Sequence, residues 1–158
     1  MFTKRARYAL HGMGFLAYQH PRAPVPFSEI LAYLEDYSSE ASLSPGYIAK
    51  VFQELSRAGL VHTVTGRKGG YALARPPEQV RLVEIVVALD GGPQEGCCLL
   101  SVGGCSNQGC CGVNEVIRDA ERAFLDFLAS QTAASLGAKM FRERGPLGTP
   151  AWPARAGR

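Results

Sequence analysis

Ser44-Pro45-Gly46-Tyr47-Ile48-Ala49-Lys50-Val51-Phe52-Gln53-Glu54-Leu55-Ser56-Arg57-Ala58-Gly59 is the stretch on which the fold turns. Serine followed by proline starts a helix well: the hydroxyl satisfies a first-turn N–H, and proline lacks the N–H that has no partner there. Ile48, Val51, Phe52 and Leu55 recur every three or four residues as one apolar stripe, and Gly59 is a natural stop. Burying that stripe leaves Gly46, Ala49, Lys50, Gln53 and Glu54 on the remaining surface. A short, sharply capped helix of this kind reads as the second helix of a helix-turn-helix.

Immediately downstream, Leu60-Val61-His62-Thr63-Val64 reads as a strand and Thr65-Gly66-Arg67-Lys68-Gly69-Gly70 as a tight turn. Tyr71-Ala72-Leu73-Ala74 reads as the returning strand. A helix-turn-helix followed by a basic hairpin is a winged helix. Its tip, Arg67-Lys68, is placed to touch DNA backbone or minor groove, the plainer alternative being a solvated hairpin. Ser44, Gly46, Tyr47 and Lys50 are the corresponding candidates on the helix.

Upstream, Thr3 to about His20 carries Tyr8, Leu10, Met13, Phe15, Leu16 and Ala17 at helical spacing, with Thr3 as N-cap and an end near Pro21. Lys4, Arg5 and Arg7 at its start are candidates for phosphate contact or for a solvated face. Pro24-Val25-Pro26 is an extended connector, and Phe27 to Leu34 resumes helical spacing with Ser28 as a candidate cap. The polar run Glu35 to Ser42 either extends that helix or forms a long turn.

After the hairpin, Arg75-Pro76-Pro77 closes the wing, and Val80 to Leu89 reads as a short strand, turn and helix that Asp90-Gly91-Gly92-Pro93 breaks. All five cysteines then fall between Cys97 and Cys111, among Gly, Ser, Asn and Gln. Core cysteines sit on periodic apolar faces, which this stretch lacks. Adjacent Cys97-Cys98 pairs only with strain, and an odd number of thiols leaves one over from any disulfide set. The pattern points to a metal or redox role.

Beyond it, Val113, Val116, Ile117, Ala120, Phe124, Phe127 and Leu128 keep a 3.6-residue period, predicting an amphipathic helix to about Gln131 or Leu136. No later element is expected behind it. Its stripe is therefore expected on the first helix and on a second subunit, with Ile117, Ala120, Phe124 and Leu128 forming a homodimer seam. From Gly137 the chain turns rich in Gly, Pro and Arg, and a disordered tail is expected.

At 158 residues, 46% hydrophobic and net charge +3, the chain fits one soluble domain with an appendage. Neither a membrane span nor a leader is predicted, and a cytoplasmic setting, where clustered thiols stay reduced, is expected. The expected fold class is mainly α with a small β-hairpin wing. The expected organisation is a winged helix-turn-helix over 1–90, a cysteine-rich loop over 91–112, a dimerisation helix over 113–136 and a tail over 137–158.

The segments Thr3-Lys4, Arg7-Tyr8-Ala9-Leu10, Leu43-Ser44, Tyr47-Ile48, Leu55, Ala58-Gly59-Leu60-Val61, Gly66, Gly69-Gly70-Tyr71, Leu73 and Ala74-Arg75-Pro76-Pro77 together resemble a known family. It is the bacterial winged-helix transcription regulators of the Rrf-two superfamily, in particular members like the iron-sulfur regulator IscR and the nitric-oxide sensor NsrR. The resemblance runs in order from residue 1 to about 136. It implies a homodimer on a near-palindromic double-stranded operator, a repressor-type regulator whose affinity a cysteine-bound iron-sulfur cluster sets.

By the same resemblance the ligands are Cys98, Cys105 and Cys111, with Cys97 and Cys110 as alternates; whether the cluster has two or four irons is left open. IscR-like members place a histidine where this chain has Asn114, and NsrR-like members use an aspartate where it has Arg7, so the fourth ligand stays open among Cys97, Cys110, Glu115 and an exogenous molecule. Two further readings compete: a winged-helix regulator using its thiols for zinc or as a redox switch, and an iron-sulfur electron carrier without DNA binding. The thiols lack the C-x2-C pairs that zinc favours, and a carrier has no use for the basic wing. His11, His20 and His62 stand apart with no nucleophile beside them, so no enzyme is expected.

Overall fold

In the computed structural model the described residues are 2–21, 24–38, 43–66, 69–91 and 112–141. The cysteine stretch, the wing tip Arg67-Lys68 and the tail beyond Phe141 lie outside them.

Helix α1, Lys4–Gln19, starts as expected: the Thr3 side chain accepts from the Ala6 N–H. Helix α2 spans Phe27–Ser38, so the polar run extends the helix to Ser38. Ser28 is not its cap. The N–H groups of Glu29 and Ile30 already donate to the Pro26 carbonyl, which places Ser28, exposed, inside the first turn.

Helix α3, Pro45–Arg57, is capped by Ser44 through the Tyr47 N–H. It ends in a Schellman arrangement: Gly59 takes φ +70°, its N–H donates to Ser56, and the Leu60 N–H donates to Leu55. A left-handed residue is needed at that point, and glycine adopts it without a steric cost. Ile48, Val51, Phe52 and Leu55 are all buried, as the stripe required.

Strands β1, Val61–Val64, and β2, Gly70–Leu73, pair antiparallel with Val61 opposite Leu73 and Val64 opposite Gly70. The connector joins this hairpin, because Val25 and Tyr71 exchange both backbone hydrogen bonds at 2.9 Å. After a 3-10 turn at Pro77–Gln79 comes α4, Leu82–Asp90, whose first turn is closed by the Arg81 N–H donating to Glu84 at 3.0 Å.

The C-terminal region differs from expectation. Of the two expected ends, α5, Gly112–Ser130, stops at the one near Gln131, short of the boundary drawn at 136, and a separate α6, which was not expected, runs Ala133–Phe141. Thr132 and Ser135 cap α6 reciprocally: each side-chain oxygen accepts the other's N–H at 3.1 Å. The break is also pinned from outside, since Leu82 donates to Gln131 and Ala133 donates to Val80.

The boundary at 137 is corrected with it. Phe141 is buried against Phe15, Tyr18 and Tyr33, with the Tyr18 ring at 4.3 Å. Gly137 lets α6 lie against α1, for a Cβ there would stand 2.8 Å from the Gly14 carbonyl oxygen. The winged-helix core therefore includes α6 as well as residues before 91. On the other side of α1, Gly12 accepts the Phe52 ring, since a Cβ there would sit 2.7 Å from Phe52 Cζ. That contact sets how closely α3 approaches α1.

Candidate nucleic-acid interface

The turn of α3 away from the core presents Gly46, Lys50, Gln53 and Arg57 exposed, spaced by four, three and four residues along one stripe. Ser44 is exposed at its capped start, and Tyr47 is half-buried with its ring edge-on to Tyr8 at 6.2 Å. Gly46 has open space where a side chain would be: the nearest atom to a Cβ is Ser44 Oγ at 3.9 Å. Packing within the chain does not ask for glycine there, whereas close approach of a ligand to backbone does. Arg57 extends the stripe and was missed; its signal was the same spacing carried one turn further.

The wing is anchored behind this face. Tyr71 of β2 packs on Phe52 of α3 at 4.8 Å and on Phe27 of α2 at 6.0 Å, and burial pushes its phenol above the usual tyrosine range. Arg75, just after β2, donates to Glu84 of α4 at 2.5 Å. Burial raises the Glu84 carboxyl, but the Arg75 hydrogen bond and charge together with the Arg81 N–H outweigh it and hold the group below the usual carboxylate range. The returning strand of the hairpin is therefore tied to the body that carries α3.

The three early cations separate. Lys4 and Arg7 line an open pocket of about 180 Å³ with Tyr8, His11, Tyr37 and Ser38, and the Lys4 ammonium lies 5.9 Å from the centre of the Tyr8 ring. Through Tyr8 and Tyr47 this pocket borders the start of α3. His11 sits in its floor, Nδ1 3.4 Å from the Tyr33 hydroxyl and its ring 3.7 Å from Tyr37, and burial lowers its pKa. Arg5 instead turns inward: its guanidinium bonds Glu54 of α3 at 3.1 and 3.2 Å and the Leu89 carbonyl of α4.

The predicted dimer stripe divides. Leu128 is buried in its own chain's core, while Val116, Phe124 and Phe127 are 69%, 46% and 53% exposed. Ala120 is exposed too, and the Ile117 side chain lies outside the described set. Phe124 touches Phe2 at 5.4 Å, so this apolar face continues onto the start of the chain. Among the described residues, no three His, Cys, Asp or Glu side chains gather to hold a metal, and no helix is long and apolar enough to cross a membrane. Cys110 and Cys111 directly precede the first residue of α5 in the chain.

A capped helix presenting a polar and basic stripe, buttressed by an anchored hairpin, defines a winged-helix DNA-binding protein. The model of the Rrf2 family, described as iron-dependent transcriptional regulator, matches residues 2–139, and the chain belongs to that family. It is 30% identical over 134 residues to the HTH-type transcriptional regulator IscR of Cronobacter sakazakii, covering 85% of this chain and 78% of that one.

Among solved structures, CymR, the global cysteine regulator of B. subtilis, matches with TM-score 0.66 and 26% identity over 88% of this chain and 97% of its own. T. potens IscR shares the fold with TM-score 0.67 and 22% identity, over 94% and 93%. The family is one of transcription regulators, not enzymes, and this chain is a DNA-binding member of it.

Proposed function

We propose that the protein is a cytoplasmic homodimeric regulator whose operator affinity is set by an iron-sulfur cluster on the thiols between Cys97 and Cys111. The observation that carries the reading is the concentration of all five cysteines in that one polar stretch, next to the helix that leaves Val116, Phe124 and Phe127 largely exposed. Thiolates are the donors such clusters take, and five of them exceed the three or four a cluster needs. Cys98, Cys105 and Cys111 are the proposed ligands, with Cys97 and Cys110 as their neighbours' alternates. When bound, the cluster supplies a centre reactive to oxidants, nitric oxide or iron supply.

The rest is done by the chain's own residues. Val116, Phe124 and Phe127 meet their counterparts in a second copy, placing two α3 helices for successive major grooves. Gly46, Lys50, Gln53 and Arg57 lie along base edges and adjoining phosphates. Lys4 and Arg7 hold backbone beside the start of α3, and Arg67 and Lys68 do so at the wing. A second reading, in which the same five thiols hold zinc or act as a redox switch without a cluster, rests on their crowding in one polar stretch.

The metal content of the wild type separates the two, and Cys105→Ala tests the ligand assignment. Cys105 is the one cysteine in the stretch without an adjacent thiol, so no neighbour replaces it as a ligand. After anaerobic reconstitution the variant is expected to hold no stoichiometric iron and sulfide, while staying folded and dimeric. A variant that takes up a normal cluster removes this ligand assignment, and a wild type that carries zinc or no metal favours the second reading.

A further inference from the structure

The first turn of α1 ties together two parts of the molecule that are far apart in sequence. Arg5 Nη1 donates to both carboxylate oxygens of Glu54 on α3, at 3.1 and 3.2 Å, while Nη2 donates to the carbonyl of Leu89 in the last turn of α4. Two residues earlier, Thr3 donates to the carboxylate of Asp90, the last residue of α4, through its N–H at 3.0 Å and through its hydroxyl. Gly91 then leads straight into the stretch that carries the cysteines.

Each contact has a local cause. The last carbonyls of a helix lack partners within it and carry the negative end of its dipole, so a guanidinium suits them. Arginine's planar fork serves two carboxylate oxygens and still has an N–H to spare, a combination the point charge of lysine does not reproduce. Glu54 stands one turn beyond Lys50, and left unpaired its carboxylate would set a negative charge beside the face meant for phosphate.

We infer that Arg5 is a positioning residue that couples the end of α4 to the recognition helix, so that movement of residues 89–90 alters the setting and charge of α3. The source of that movement, binding at the cysteine stretch, rests on the function proposed above; the coupling itself does not. Withdrawing the Leu89 carbonyl and Asp90 unties the first turn of α1 and leaves the Arg5 fork unanchored against Glu54. The Gly12–Phe52 contact, one face of the same two helices, would then be the pivot about which α3 shifts.

The test has two arms. In cluster-free protein, Asp90→Asn, Arg5→Gln and the double variant are compared by hydrogen exchange of the α3 amides and by affinity for a duplex that the wild type selects from a random library. Asp90→Asn should change both readouts by about fivefold or more when Arg5 is present and by less than about twofold when it is absent, whereas additive effects overturn the inference.

In anaerobically reconstituted protein, Arg5→Gln should keep wild-type iron, sulfide and dimer content while the ratio of loaded to unloaded affinity falls toward one. Arg5→Lys should recover thermal stability but not that ratio, which a purely structural role would restore. An Arg5→Gln protein that switches like the wild type overturns the inference. A wild type with no cluster, or with equal affinities in both states, refutes the function proposed above, and the cluster-free cycle then decides the coupling by itself.

Discussion

Phe141→Ala tests the part of the fold that departs most from the sequence pattern. The side chain is 6% exposed and packs on three aromatic rings of α1 and α2, so truncation removes nearly a full aromatic burial and leaves a cavity that those rings cannot close. Phenylalanine truncations of this kind cost about 3–5 kcal/mol, and the terminal position of α6 favours the lower part of that range, about 3 kcal/mol. For a domain of this size that corresponds to a fall in Tm of roughly 10 °C.

Urea unfolding at a fixed protein concentration measures it, since the proposed dimerisation would make apparent stability depend on concentration. Gly137→Val should act in the same direction, because its Cβ would press on the Gly14 carbonyl oxygen at 2.8 Å. A loss below about 1 kcal/mol for Phe141→Ala would mean that α6 does not dock, and the chain beyond 136 would return to the tail first expected.

Phe124→Asp sets a charge in the exposed strip of Val116, Phe124 and Phe127 and should weaken self-association by about a hundredfold with helix content retained; a wild type that sediments as a monomer at micromolar concentration rejects the seam. Replacing Arg67 and Lys68 together by Ala should weaken binding to all duplexes and lower the salt slope by about one to two units, and an unchanged slope takes the wing out of the interface. Glu84→Gln tests the wing anchor by pH. The folded Glu84 pKa lies below its ordinary value, so the wild type's advantage is present above about pH 4.3 and fades as pH falls through the lower folded value. Because both partners are about one-third exposed, the advantage should stay under about 1 kcal/mol at neutral pH, and a gap of equal size at pH 3 and pH 7 would contradict it.

The winged helix was legible because its signals are local. Ser44-Pro45 and Gly59 mark both ends of α3 by chemistry that needs no distant partner, and the apolar alternation on either side of a glycine-rich turn marks the hairpin. An end near Gln131 was one of two that the sequence left open, but the second helix beyond it was not legible. Thr132 and Ser135 form a cap in the sequence, but the apolar period runs on through Leu136, and what interrupts it is backbone pairing with Val80 and Leu82. Leu128 was assigned to the seam for the same reason: periodicity identifies an apolar face without saying which surface covers it. Arg5 shows the limit for charges. Lys4, Arg5 and Arg7 look alike at a helix start, and only the positions of Glu54 and Leu89 sort the inward one from the two at the pocket.

The most direct measurement of the central claim is the affinity of one anaerobic preparation for its selected duplex, before and after removal of the cluster, with iron and sulfide counted in the same samples. About one cluster per chain and a difference of at least about tenfold between the two states are expected, within the usual range of coupling between sites. Equal affinities, or a preparation that binds the duplex tightly without iron and sulfide ever being present, would contradict it.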